Sequence, residues 1–219
     1  FVESNTDGQP FNRELRSLIY QRAKGLRDTL PFGTQRNVRR VGYEWMAHSI
    51  NAHPPSEERP RVHVGGPDCK QPYSASFLNI SAMSFGALSK NAIMALNRGA
   101  KMGGFYHNTG EGGLSPYHLQ GGDITFQLGT GCFGCRTPDG QFEPEKFRDI
   151  ASIDAVKMIE IKILQGAKPG HGGILPAAKV SREIAEIRGV PPGEDCLSPP
   201  AHPAFSSPIE LCEFIGKLR

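Results

Sequence analysis

Ile159-Glu160-Ile161-Lys162-Ile163 runs through Leu164 straight into Gln165-Gly166-Ala167-Lys168-Pro169-Gly170-His171-Gly172-Gly173. The first five residues read as a strand of branched apolar side chains. The nine from Gln165 hold four glycines, which let backbone N–H groups come close to a ligand. A strand that ends in a glycine-rich polar loop is the building unit of α/β folds whose function sits on loops at strand C-termini.

Working outward, the same unit repeats upstream. Leu78 to Met83 is predicted as a buried strand, and Gly103 to Asn108 leads into a second strand and the loop Gly110 to Gly113. Ile124 to Leu128 is a third strand, ending in Gly129-Thr130-Gly131. Helical spacing is found over Leu88 to Met102, with Ser89 as N-cap, over Asp149 to Met158, over Ser181 to Arg188, and from Pro208 onward. Strands that alternate with helices or long loops predict a parallel α/β sheet of barrel layout. Four strands are present where a closed barrel uses eight and about 250 residues, so the expectation is a partial (β/α) barrel of TIM type. Before it, Asn12 to Thr29 places Leu15, Leu18, Ile19, Ala23 and Leu26 on one helix face, with Pro31-Phe32-Gly33 as the stop. Tyr43 to Ile50 reads as a second short helix and Asn51 to Pro60 as a loop. The predicted division is therefore a helical and irregular extension over residues 1–72 and a half barrel over 73–219.

Composition agrees with this layout. Gly 26 and Pro 18 make about a fifth of the 219 residues, too many helix breakers for a helix bundle. The net charge of +3 argues against an electrostatic nucleic-acid binder; Arg36, Arg39 and Arg40 read as a solvated turn. Five cysteines at irregular spacing are not a secreted disulfide framework, and a reducing, cytoplasmic compartment is expected. No run of 18 apolar residues marks a membrane span. The start at Phe1 and the end at Arg219, inside an amphipathic pattern, suggest a piece of a longer chain.

Four segments are candidates for chemistry. Met83-Ser84-Phe85-Gly86 is either a set of backbone donors for a planar heterocycle or a plain turn into a helix cap. In Asn108-Thr109-Gly110-Glu111-Gly112-Gly113, Glu111 is a gate, a general acid or base, or a ligand contact, unless the loop is an ordinary surface one. Lys168, after a strand, is placed to stabilise negative charge on a reduced cofactor or to bind a carboxylate. His171 has the chemistry to titrate near neutrality or to be a solvated loop residue. Cys132-Phe133-Gly134-Cys135 is half a zinc site, a redox pair, or two structural thiols. No second C-x-x-C or Walker A motif accompanies it, and no metal site is assigned.

These strings together resemble the FMN-binding synthase domain of glutamate synthases, and the stand-alone FMN-binding glutamate synthase family more closely. The matching stretches are Ala82 to Ser89, Asn108 to Gly113, Glu160 to Gly170, Lys179-Val180-Ser181 and Ser198-Pro199-Pro200. The helix from Asn12 with Phe32-Gly33-Thr34 looks like the N-terminal extension of the stand-alone proteins. The resemblance implies an FMN-containing (β/α)8 barrel that reduces a 2-imino acid, 2-iminoglutarate or a relative, to an amino acid. Electrons would come from ferredoxin or a pyridine-nucleotide reductase. It further implies that Met83 and Ser84 lie against the flavin ring and that Gln127 bonds its pyrimidine edge. Lys168 would stand where charge develops on reduction. Gln165, Gly172 and Arg188 would face the substrate, and Glu111, beside Lys168, would act in catalysis on a loop that lines the route for ammonia.

The resemblance has gaps. No glutaminase domain with its nucleophilic cysteine is present, and the three cysteines that hold the family's iron–sulfur cluster would lie beyond Arg219, as would the loops that hold the FMN phosphate. His171 stands where the large enzymes have Glu, Ile174 where they have Gln, and Leu114 where a second acid is usual. An altered substrate is therefore expected, with weak or no turnover by this chain alone. Two readings of another class remain beside it: a non-catalytic barrel fragment with an assembly or regulatory role, and a C-x-x-C redox or metal module.

Overall fold

The structure, a computed structural model, describes residues 8–219 except 10, 28, 31, 32, 35 and 55. It divides into two compact units, residues 1–55 and 56–219.

Among the described residues the first unit holds one helix, α1 (Arg13–Ala23), whose N-terminus is closed by Asn12: its Oδ1 accepts from Leu15 N–H at 2.9 Å. The helix stops at Ala23, short of the expected Thr29, because Gly25 takes a left-handed φ of 68°. Pro31 and Phe32 of the expected stop lie outside the described residues. Residues 43–50 form no helix, contrary to the sequence expectation. Trp45, Met46 and Ile50 are exposed; a helix of so few residues needs a packed face to persist in water, and this segment has none. Residues 36–40 form a turn in which Asn37 Oδ1 accepts from Arg39 N–H.

The second unit opens with a hairpin that the sequence did not signal. Strands β1 (Arg61–Val64) and β2 (Tyr73–Ser76) pair antiparallel, on either side of the boundary expected at residue 72. Helix α2 (Lys90–Gly103) begins where predicted, with Ser89 Oγ accepting from Ala92 N–H, and ends in the left-handed Gly104. The predicted strand over 78–83 shrinks to a single parallel bridge, Ile80 to His107. This is an edge segment with one neighbour, and Phe77 and Leu78 beside it are exposed.

From that bridge the parallel sheet runs in sequence order through β3 (Tyr106–Asn108), β4 (Asp123–Leu128) and β5 (Val156–Ile161). Helix α3 occupies Pro144–Ala151, not the expected 149–158. Pro144 starts it in the first turn, where its missing N–H costs nothing, and Val156 to Met158 pair with β4 instead. Helix α4 (Arg182–Arg188) and helix α5 (Pro208–Leu218) are capped by Ser181 and Ser207. On either side of α4, β6 (Ile174–Leu175) and β7 (Cys196–Leu197) form a short antiparallel ribbon.

The two faces of the sheet differ. Ile124, Phe126, Leu128 and Val156 are buried against Phe147 of α3 and Phe214 of α5. The alternate residues, Thr125 and Gln127 on β4 and Glu160 on β5, make the other face polar. A second core gathers Phe85, Ile93, Phe133, Leu175 and Ile184. The unit is thus an α/β domain with consecutive parallel strands, and no closed barrel is formed among the described residues. No described helix is long and apolar enough to cross a membrane.

Candidate functional site

The parallel strands end on one side, and their C-terminal loops converge there. The loop after β3 carries Glu111, and the chain beyond β5 carries Lys162 and Gln165. Lys162 Nζ lies 3.2 Å from Glu111 Oε1 and donates to Gln165 Oε1 at 2.7 Å. The Gln165 amide nitrogen donates to both oxygens of Glu111, at 3.1 and 2.9 Å, and reaches Ser198 Oγ at 3.2 Å. An ion pair and a fully engaged amide thus fix the Glu111 carboxylate. Its side chain is only 19% exposed, so solvent screens the pair less than it would a surface pair.

The β6–β7 ribbon brings Ser198 into this cluster. Gly173 N–H donates to Ser198 Oγ at 3.0 Å, and Ser198 N–H donates back to Gly173 O at 2.9 Å. Glycine is required beside this contact: a Cβ on Gly172 would sit 1.9 Å from the Ser198 carbonyl oxygen.

Arg188, at the end of α4, is 5% exposed. Its Nη2 donates to Phe85 O at 3.3 Å, its Nη1 points at Cys196 Sγ at 3.7 Å, and its guanidinium lies over the Phe133 ring. Its Nε has no partner among the described residues. Arg188 lines a cavity of about 110 Å³ together with Ser84, Glu111, Gly173 and Ser198, room for about three or four water molecules at ~30 Å³ each. A buried cation whose hydrogen bonds go to a carbonyl and a thiol is complemented by a small negative group in that space.

On the polar face of the sheet, three strands contribute side chains to one group. Asn108 Nδ2 donates to Glu160 Oε1 at 3.0 Å, and Gln127 Nε2 donates to the same oxygen. Met83 is held from behind: its carbonyl accepts from His118 Nε2 at 3.0 Å. His118 Nδ1 takes the Ser115 N–H at 3.2 Å, so the ring proton is on Nε2. Burial lowers the pKa of His118; burial, with His118 beside it, lowers that of His107 to about 4.

Of the predicted site residues, the structure joins Glu111 and Gln165 directly, and Ser84 and Arg188 to Glu111 through the cavity. Gly172 abuts Ser198. Gln127 lies on the same polar face of the sheet, and Met83 begins the turn that Ser84 continues. Lys168 stands apart. It is exposed, and no ion pair or side-chain hydrogen bond engages its ammonium among the described residues. Its backbone shapes the loop, accepting from His171 N–H at 3.0 Å. His171 is exposed as well. Sequence reasoning missed Lys162, Glu160, His118 and Ser198. For the first two, the alternation within Ile159 to Ile163 is a usable signal, since it puts Glu160 and Lys162 on the face opposite the apolar core.

A family model for the conserved region in glutamate synthase matches residues 58–219, a stretch that contains every residue of this cluster. The chain belongs to the glutamate synthase family. It is 46% identical over 159 residues to YerD, a glutamate synthase large subunit-like protein of Bacillus subtilis, covering 71% of this chain and 30% of that protein. An archaeal-type NADPH glutamate synthase of Thermotoga maritima is 40% identical over 141 residues, 64% of this chain and 25% of that enzyme. A glutamate synthase large subunit-like protein of Rhizobium meliloti is 32% identical over 206 residues, 90% of this chain and 43% of the relative. The chain thus spans less than half the length of these glutamate synthase relatives.

The C-x-x-C pair lies within the family match, and both of its thiols are buried. Cys132 and Cys135 are fully buried free thiols whose pKa values burial raises to about 11 and about 12. Such thiols carry almost no thiolate at neutral pH. No group of three or more potential ligands is placed to hold a metal among the described residues.

Proposed function

We propose that residues 73–219 are the first half of an FMN-binding (β/α)8 barrel, preceded by an extension over residues 1–72. In this reading the protein is an oxidoreductase of glutamate synthase type that reduces a 2-imino acid to an amino acid, with ferredoxin or a pyridine-nucleotide reductase as electron donor. The observation that carries the reading is the convergence of Glu111, Gln165, Lys162 and Ser198 beside buried Arg188, at the ends of consecutive parallel strands, in a chain of this family. Strand C-termini are where barrel enzymes keep their chemistry.

The residues present fit a flavin on the side they supply. Gln127 keeps an amide oxygen free of protein donors at a strand end, and Met83–Ser84 form a turn anchored by His118. When bound, FMN would supply the hydride. Met83, Ser84 and Gln127 would hold it, and Lys168 would provide a cation to offset negative charge on the reduced ring. Arg188 and Gln165 would orient a substrate carboxylate, with Gly172 keeping the loop close to Ser198. Lys162 and Gln165 hold the Glu111 carboxylate in place, where it would take or return a proton at the substrate nitrogen. An iron–sulfur cluster would belong to a longer chain.

The test is titration of the chain with FMN, followed by flavin fluorescence. Saturable quenching, weakened by Gln127→Ala, is expected. A protein that leaves FMN fluorescence unchanged at every concentration refutes the reading.

A further inference from the structure

The polar face of the parallel sheet has a direction. Asn108 Oδ1 accepts from Gly110 N–H at 2.9 Å, so the nitrogen side of its amide must face Glu160, as it does at 3.0 Å. Gln127 lies opposite Glu160 in the β4–β5 register and also turns its amide nitrogen to Glu160 Oε1. An ionised carboxylate only accepts hydrogen bonds. An amide next to it therefore gives up its NH2 side and presents its oxygen elsewhere. Gln127 Oε1 takes no protein donor among the described residues, and it is not one of the buried orphaned atoms. The residue is 6% exposed, so little else of it is open to a ligand.

We propose that Glu160 is a positioning residue that locks the Gln127 amide with its oxygen outward, so that this face selects a ligand presenting a ring N–H donor. For a flavin, that donor is the imide N–H of the pyrimidine edge. The inference rests on the flavin reading for its ligand and on the Asn108–Glu160–Gln127 geometry for the lock. Without Glu160 the two ends of the Gln127 amide become nearly equivalent, and the site loses its preference for a donor over an acceptor.

Two measurements test this. In the ligand-free, nitrogen-15-labelled chain, the Gln127 side-chain amide signals, assigned by their loss in Gln127→Met, should shift as Glu160 is titrated with acid. The shift should vanish in Glu160→Ala. With ligand, the native chain should bind FMN about tenfold more tightly than N3-methylated FMN, the worth of one hydrogen bond. Glu160→Ala should reduce that preference to about twofold or less. Glu160→Gln keeps an acceptor oxygen and should restore most of it, which a merely structural residue would not do. Gln127 signals that ignore acid titration, or a tenfold preference that survives Glu160→Ala, overturn the lock while leaving flavin binding intact. Failure of the native chain to bind either flavin overturns the ligand assignment and the flavin reading with it.

Discussion

Acid should weaken this fold in a way that two buried histidines account for. His107 is fully buried, its ring 5.2 Å from that of His118, and neither of its ring nitrogens has a hydrogen-bond partner among the described residues. His202 is 4% exposed and stacked on Phe205, with Nε2 unpartnered. Burial lowers both pKa values to about 4, against about 6.5 in an unfolded chain. Between these values the unfolded state binds protons that the native state refuses, so stability falls as pH drops from 6.5 toward 4. From pH 7 to pH 5 each histidine removes about 2 kcal/mol, or ~4 kcal/mol for the pair. That is a large part of the 5–15 kcal/mol typical of a domain. His118 acts in the same direction. Its Nδ1 already takes the Ser115 N–H, so a second proton there would face a donor. Urea unfolding followed by circular dichroism at pH 7 and pH 5 gives the two stabilities. His107→Phe should remove about 2 kcal/mol of the acid sensitivity. Equal stabilities at the two pH values, or an unchanged difference in His107→Phe, would refute the reasoning.

Three further outcomes follow from particular contacts. Gly172→Ala places a Cβ 1.9 Å from the Ser198 carbonyl oxygen, so the loop must shift; about 1–3 kcal/mol of stability should be lost, and thermal unfolding checks this. Lys168→Ala should leave thermal stability within about 0.5 kcal/mol, because the side chain is exposed; with flavin bound it should lower the reduction potential and slow reduction, and an unchanged potential removes Lys168 from that role. Under native conditions an alkylating reagent should modify Cys69 and Cys212 rapidly and Cys132, Cys135 and Cys196 slowly, since only the first two are exposed; mass spectrometry of labelled peptides decides, and fast labelling of the C-x-x-C pair contradicts its buried, protonated state.

Much of the second unit was legible because its signals are local. Ser89, Ser181 and Pro208 announced α2, α4 and α5, since caps and first-turn prolines act within a few residues. The alternation around Glu160 announced β5. What failed depended on distant partners. The β1–β2 hairpin and the β6–β7 ribbon pair strands of only four and two residues each, too short for their pattern to stand out without the partner. Residues 156–158 fit a helix by themselves and become strand only because β4 lies beside them. The 43–50 segment carries apolar spacing but has no layer to pack on. At the site, Glu111 and Gln165 were found from their glycine-rich loops. Lys162 was passed over for Lys168, because strand-end position draws attention to the loop lysine whereas the ion pair to Glu111 exists only once β3 and β5 are neighbours of β4. Ser198 enters through the ribbon alone.

The central claim is that the strand-end cluster belongs to a flavin-dependent site, and binding of FMN to the chain tests it most directly. Titration should give saturable fluorescence quenching with a perturbed flavin visible band, and the affinity should fall in Gln127→Ala. Free-flavin spectra and undiminished fluorescence at saturating protein, with the chain shown to be folded by circular dichroism, would contradict the account.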